Sequence, residues 1–197
     1  MPENETKNVA TEDACGCGIE PKHEVSPKRH ADAHKHDQAE DCAMCEQGAE
    51  GMFESIETMI AGFGHAVIAT RIDIPEGELS MSFTVGLSRQ GLPELIVFAL
   101  PDDVAQAMLN QSAELLKNGG LQVDVSIAQI AESFDIVFRK AAIEKVRKVT
   151  EALEAFACVD SPDVWQMVWP DKSGLYPWQA QFDESLVLYQ PCLFTEI

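Results

Sequence analysis

Cysteine and histidine are the residues of this 197-residue chain best suited to soft-metal chemistry, and they crowd into its first quarter. The stretch "ACGCGIEPKHEVSPKRHADAHKHDQAEDCAMC", residues 14–45, holds four of the six cysteines and four of the five histidines. Cys15-x-Cys17 and Cys42-x-x-Cys45 form two close pairs, with His23, His30, His34 and His36 between them. Thiolate and imidazole together suit Zn²⁺, which takes four such ligands in a tetrahedral site. Cys15, Cys17, Cys42 and Cys45 are the first choice of ligands, and His30, His34 and His36 are alternates or ligands of a second ion. The "EQG" after Cys45 reads as a knuckle turn, whereas the 24 residues between the pairs exceed the usual zinc-site spacing. Two other readings stay open: the C-x-x-C pair as a redox dithiol, and the histidines as solvated residues without a specific role.

The segment that carries these ligands is poor in core-forming residues. Residues 1–50 contain 12 acidic and 5 basic side chains, and the first aromatic residue of the chain is Phe53. Such a composition cannot bury enough apolar surface to offset about 1–2 kcal/mol of chain entropy per residue, so disorder is expected without a ligand. A bound zinc ion would supply that ordering energy, of the order of 10–16 kcal/mol in zinc-finger peptides. The expected division is a Cys/His-rich tail over residues 1–47 and a single domain over residues 48–197.

Charge narrows the partners. The formal net charge is −19, with no basic stripe, which argues against nucleic acid and for a cation or a basic protein face. No run of eighteen apolar residues exists to span a membrane, and "MPENETKNVATEDACGCG" lacks the basic and apolar regions of a secretory signal. These features lead to the expectation of a cytoplasmic protein, where close cysteine pairs bind metal or do redox chemistry. They leave oligomeric state open, and no organic cofactor is evident.

The domain must be built from the elements that follow. Met52, Ile56, Met59, Ile60 and Phe63 recur at helical spacing, with Gly62 and Gly64 as the stop. "HAVIATRIDI", "LSMSFTVGL" and "ELIVFAL" read as three strands, the last apolar enough to be covered on both faces. A helix opens at Pro101-Asp102-Asp103 and stops at Gly119-Gly120. "LQVDVSIAQI", "SFDIVFRKA" and "DVWQMVWP" read as strands, residues 144–157 as one helix, and "SLVLY" as a last short strand. The predicted class is α+β, a mainly antiparallel sheet with packed helices.

Several of these blocks, in order, resemble an uncharacterised bacterial family, the domain of unknown function numbered 4262. The resemblance rests on "CAMCEQG", "GHAVI", "SFTVGLSRQGLPELIVFALP" and "WQMVWPDKSGLYPW", and covers about residues 42–192. It implies a bacterial, cytoplasmic domain and transfers no catalytic residue. The Cys/His stretch before Cys42 departs from the family pattern.

Within the domain the candidate ligand-binding residues are His65, Arg89, Trp169, Asp171 and Trp178. Arg89 can clamp an anion or form a surface ion pair with Glu94. The aromatic C-terminal block can line a pocket or pack the sheet. An enzyme reading would place a small-molecule or cofactor pocket between the Thr84–Glu94 turn and the Trp169–Asp183 end. No nucleophile–base signature supports it, so whether the chain is an enzyme stays undecided.

Overall fold

The structure is a computed structural model, and it describes residues 43–157 and 159–195. The first helix, α1 (Ala43–Phe63), turns Ile56 and Ile60 into the core, with Met52 and Phe53 packed alongside. It stops where expected. Gly64 takes a left-handed φ of +80° and its N–H closes on the Ile60 carbonyl at 2.8 Å, a geometry that suits a residue without Cβ.

A hairpin follows, β1 (Ala66–Ile74) and β2 (Gly77–Val85), paired over its whole length from Ile74↔Gly77 to Ala66↔Val85. A single 3₁₀ turn (Leu87–Gln90) leads into β3 (Glu94–Phe98), antiparallel to β2. Then come α2 (Asp102–Lys117), β4 (Ser126–Ile127), β5 (Ile136–Lys140), α3 (Ile143–Val149), α4 (Ala152–Phe156) and β6 (Val164–Val168). The six strands form one sheet in the order β1-β2-β3-β6-β5-β4. Only the β3–β6 neighbours run parallel; the other pairs are antiparallel. The mixed α+β class with a mainly antiparallel sheet is therefore as expected.

Alternation along the strands divides the core in two. On one face Leu95, Val97, Phe138 and Met167 meet Ala105, Met108, Leu109, Ala113 and Leu116 of α2. On the other, Met81, Phe83, Val85, Ile96, Phe98 and Val164 meet α1, α3, α4 and Leu193 of the C-terminal segment. All five residues of β3 are buried, as their unbroken apolar run predicts for a strand covered on both sides.

Four local expectations change. Glu46-Gln47-Gly48 is helical rather than a turn, because Ala43, Met44, Glu46, Gln47 and Ala49 are good helix formers around a lone glycine. "LQVDVSIAQI" keeps only a bridge at Val123 and the two residues of β4, because Asp124 at φ +62° interrupts the extended run. The helix expected over 144–157 breaks at extended Thr150, whose Oγ1 accepts from Ala152 N–H at 3.1 Å and starts α4. "SLVLY" is not a strand: Asp183 accepts from Ser185 N–H and sets a 3₁₀ turn over Glu184–Leu186, leaving Val187, Leu188 and Tyr189 exposed. Among the described residues no helix is long and apolar enough to cross a membrane.

Gly86, between β2 and the 3₁₀ turn, has φ +103°, and a Cβ there would lie 2.9 Å from both Cγ1 and Cγ2 of Ile60. Gly86→Ala should therefore cost about 2 kcal/mol or more in urea unfolding, from strain plus overpacking. Trimming Ile60 to Ala in the same chain should recover the overpacking part and leave the strain.

Candidate functional site

The residues between β2 and β3 build the most polar feature of the interior. Glu94, first residue of β3, is fully buried. Its Oε1 accepts from Gly86 N–H at 2.9 Å, Ser88 N–H at 2.9 Å and Ser88 Oγ at 2.8 Å. Its Oε2 accepts from Thr84 Oγ1 at 2.7 Å, and Thr84 Oγ1 in turn accepts from Leu95 N–H. Successive N–H groups converging in this way form a cradle for an anion, and here the chain fills it with its own carboxyl group.

Arg89 faces the other way from Glu94, which corrects the expected Arg89–Glu94 pair. The 3₁₀ turn sends its guanidinium to Glu57 of α1, bonded at 2.8 and 2.6 Å, while Nε donates to the Phe156 carbonyl at 3.0 Å. These hydrogen bonds hold the Glu57 carboxyl below its ordinary range. Arg89 thus ties the turn to α1 and α4.

His65 is buried where β1 meets α2. Its Nε2 lies 3.0 Å from Asn110 Oδ1 and its Nδ1 lies 3.4 Å from Lys117 Nζ. Lys117 also donates to the Phe63 carbonyl and to Glu114, and Gln90 Nε2 donates to the Gly64 carbonyl. A histidine in this setting joins the end of α1, β1, the 3₁₀ turn and α2. Both of its nitrogens are occupied.

The C-terminal candidates form a clasp. Trp169 Nε1 donates to the Phe98 carbonyl at 3.1 Å, and the Trp169 backbone N–H and C=O both bond the Gln190 side chain at 2.9 Å. Asp171 accepts from Ser173 N–H, Leu175 N–H and Asp183 N–H at 2.8–3.0 Å, and these backbone donors, Leu175 foremost, hold its carboxyl below the ordinary 3.8. Trp178 stacks on Tyr176 with ring centroids 5.0 Å apart. The Arg139 guanidinium carbon sits 4.6 Å from the Trp178 ring centroid and 4.8 Å from that of Phe194, with Asp124 bonded at 2.9 Å. Gln166, buried in β6, adds the same kind of stitch by bonding the Pro191 carbonyl and Leu193 N–H. Sequence reasoning passed over Gln166 and Gln190. The signal for Gln166 was a lone amide inside the apolar run "VWQMV".

The two segments expected to flank an enzyme-type pocket leave the sheet at opposite ends. Glu94 pairs with Val164 at one end of the parallel β3–β6 pair, whereas Trp169 leaves the opposite end of β6. Trp178 lies over Arg139 of β5, two strands from β3. One concavity of about 590 Å³ runs along α1 at Gly51, Glu54, Ser55, Thr58 and Met59. Another, of about 380 Å³, lies between Asp124, Arg139, Lys140 and Phe194. Neither touches residues 84–94 or 169–183.

Of the expected metal ligands, Cys15, Cys17, His30, His34, His36 and Cys42 lie outside the described residues, and Cys45 falls in the first turn of α1. Among the described residues no group of three or more His, Cys, Asp or Glu is placed to hold a metal ion.

A family profile described as domain of unknown function (DUF4262) matches residues 59–183, well over half of the chain, and the chain belongs to that family. No curated protein and no solved structure shows a significant match.

Two carboxyl groups in this region are open to direct measurement. Glu94→Ala strands several buried donors at once and should cost about 3–5 kcal/mol in denaturant unfolding. Asp171 titrates lower folded than unfolded, so its stabilisation is complete above the ordinary aspartate pKa. It is lost as pH falls from about 4 through the folded value. Asp171→Asn should accordingly lower stability at neutral pH and flatten its decline in acid, as followed by melting temperature against pH.

Proposed function

We propose, taking membership of a family described without an activity as the premise, that this protein is a zinc-binding module with a binding or regulatory role. Cys15, Cys17, Cys42 and Cys45 would supply four thiolates, with His30, His34 and His36 as alternates or as ligands of a second ion. The observation that carries the reading is the pair of close cysteine motifs, Cys15-x-Cys17 and Cys42-x-x-Cys45, with histidines between them. The second cysteine pair adjoins α1, in which Cys45 lies.

The same helix is anchored at its other end by Ile56 and Ile60 in the core and by the Glu57–Arg89 bond. Metal binding that includes Cys45 would fasten the Cys/His-rich chain to a rigid support. Binding would release thiol protons and gain the folding energy that the acidic segment lacks. A protein partner could then read the ordered surface. The reading also calls for a compartment that keeps paired thiols reduced, the bacterial cytoplasm.

A further point supports a binding role over catalysis. His65, Arg89, Trp169, Asp171 and Trp178 each have a partner that explains them as parts of the framework.

The test is elemental analysis of the untagged full-length chain. About one zinc per chain is expected, with Co²⁺ substitution giving the absorption of sulfur ligation. Cys42→Ser with Cys45→Ser should abolish both while leaving the melting of the domain nearly unchanged. Unchanged metal content in that variant would refute the reading.

A further inference from the structure

β1 is an edge strand, nine residues long, paired in full with β2 on one side and with nothing among the described residues on the other. Which of its peptide groups point outward follows from a single bond further in. Ala99 N–H donates to the Ser80 carbonyl at 2.9 Å, so Ser80 turns its peptide groups toward β3. Alternation in an antiparallel ladder then turns Leu79, Met81 and Phe83 toward β1, where they meet Ile72, Thr70 and Ile68. The peptide groups left facing away from the sheet are those of Val67, Ala69, Arg71 and Asp73.

Natural edge strands are usually short, or blunted by proline, lysine or a bulge. This one has none of these: residues 66–74 read "AVIATRIDI", and all nine pair with β2 in unbroken register. Its one cation, Arg71, is held by both Asp102 oxygens at 3.0 and 2.9 Å and lies on the α2 side of the sheet.

We propose that β1 is where two copies of this chain join, antiparallel about a two-fold axis through Thr70. In that register Val67 faces Asp73 of the partner subunit and Ala69 faces Arg71 of the partner subunit. Every outward peptide group then finds a mate. On the other face Ile68 meets Ile72 of the partner subunit, and Ala66 meets Ile74 of the partner subunit. Ile68, Ile72 and Ile74, each only partly buried in the single chain, gain apolar neighbours.

Charge favours a second copy at this place. The chain carries a net charge of −19, yet residues 66–74 hold one arginine and one aspartate and are neutral. Two acidic molecules would therefore meet through a segment that itself carries no net charge. The product is one continuous sheet running through both subunits.

The test is light scattering with size-exclusion chromatography on the full-length chain across a concentration series. The expected mass is about twice the 21.6 kDa of one chain. Ala69→Pro removes an outward N–H that β2 does not use, so the monomer should fold while dimer affinity falls about tenfold or more. Thr70→Lys sets two ammonium groups across the axis without touching the backbone and should weaken the dimer as well. Thr70→Cys should give an oxidative crosslink between two copies of the peptide holding residue 70, identified by mass spectrometry. A chain that stays monomeric overturns the proposal. So does a dimer unmoved by Thr70→Lys and by an Ala69→Pro variant with native circular dichroism.

Discussion

Four donors converging on one buried carboxyl group set the centre of this domain. Glu94 receives Thr84, Gly86 and Ser88 with no cation beside it among its hydrogen-bond partners. A carboxyl group taken out of water is tolerated only if its lone pairs are met, and here backbone N–H and hydroxyl donors meet them. The cost of leaving it unmet holds the 86–88 backbone in one shape. That shape puts Gly86 against Ile60 and points Arg89 toward Glu57, so the position of α1 is set from the β2–β3 connection.

At the other end of the sheet the chain uses amides and rings. Gln166 and Gln190 each spend both ends of a side-chain amide on backbone groups, which extends hydrogen bonding beyond the last residue of β6. Arg139 lies between Trp178 and Phe194, and Ala141 bridges Phe194. Together they hold a segment with little regular structure against β5 and β6. Trp169, Trp178 and Phe194 each take part in these contacts.

Legibility varied with the range of the interactions concerned. α1's stop at Gly64, the β1–β2 hairpin and the burial of β3 follow from spacing and punctuation within about ten residues, and all were readable. The partner of Arg89 was not. Glu57 lies 32 residues upstream and Glu94 only five downstream, so local proximity suggested the wrong one. The break at Thr150 was missed because the apolar period continues through it on both sides.

Periodicity and composition by themselves determined the class, the elements from α1 through α2 and the contrast between an acidic, ligand-rich beginning and a core-forming remainder, because these depend on local pattern and on how much apolar surface a segment owns. Tertiary structure decided the roles of individual polar residues. It inserted β6 between β3 and β5, brought Glu57 to Arg89 and left β1 open at the edge among the described residues. Those outcomes depend on which distant strands become neighbours. A buried polar group takes whatever donor the packing brings within 3 Å, and no local pattern encodes that choice.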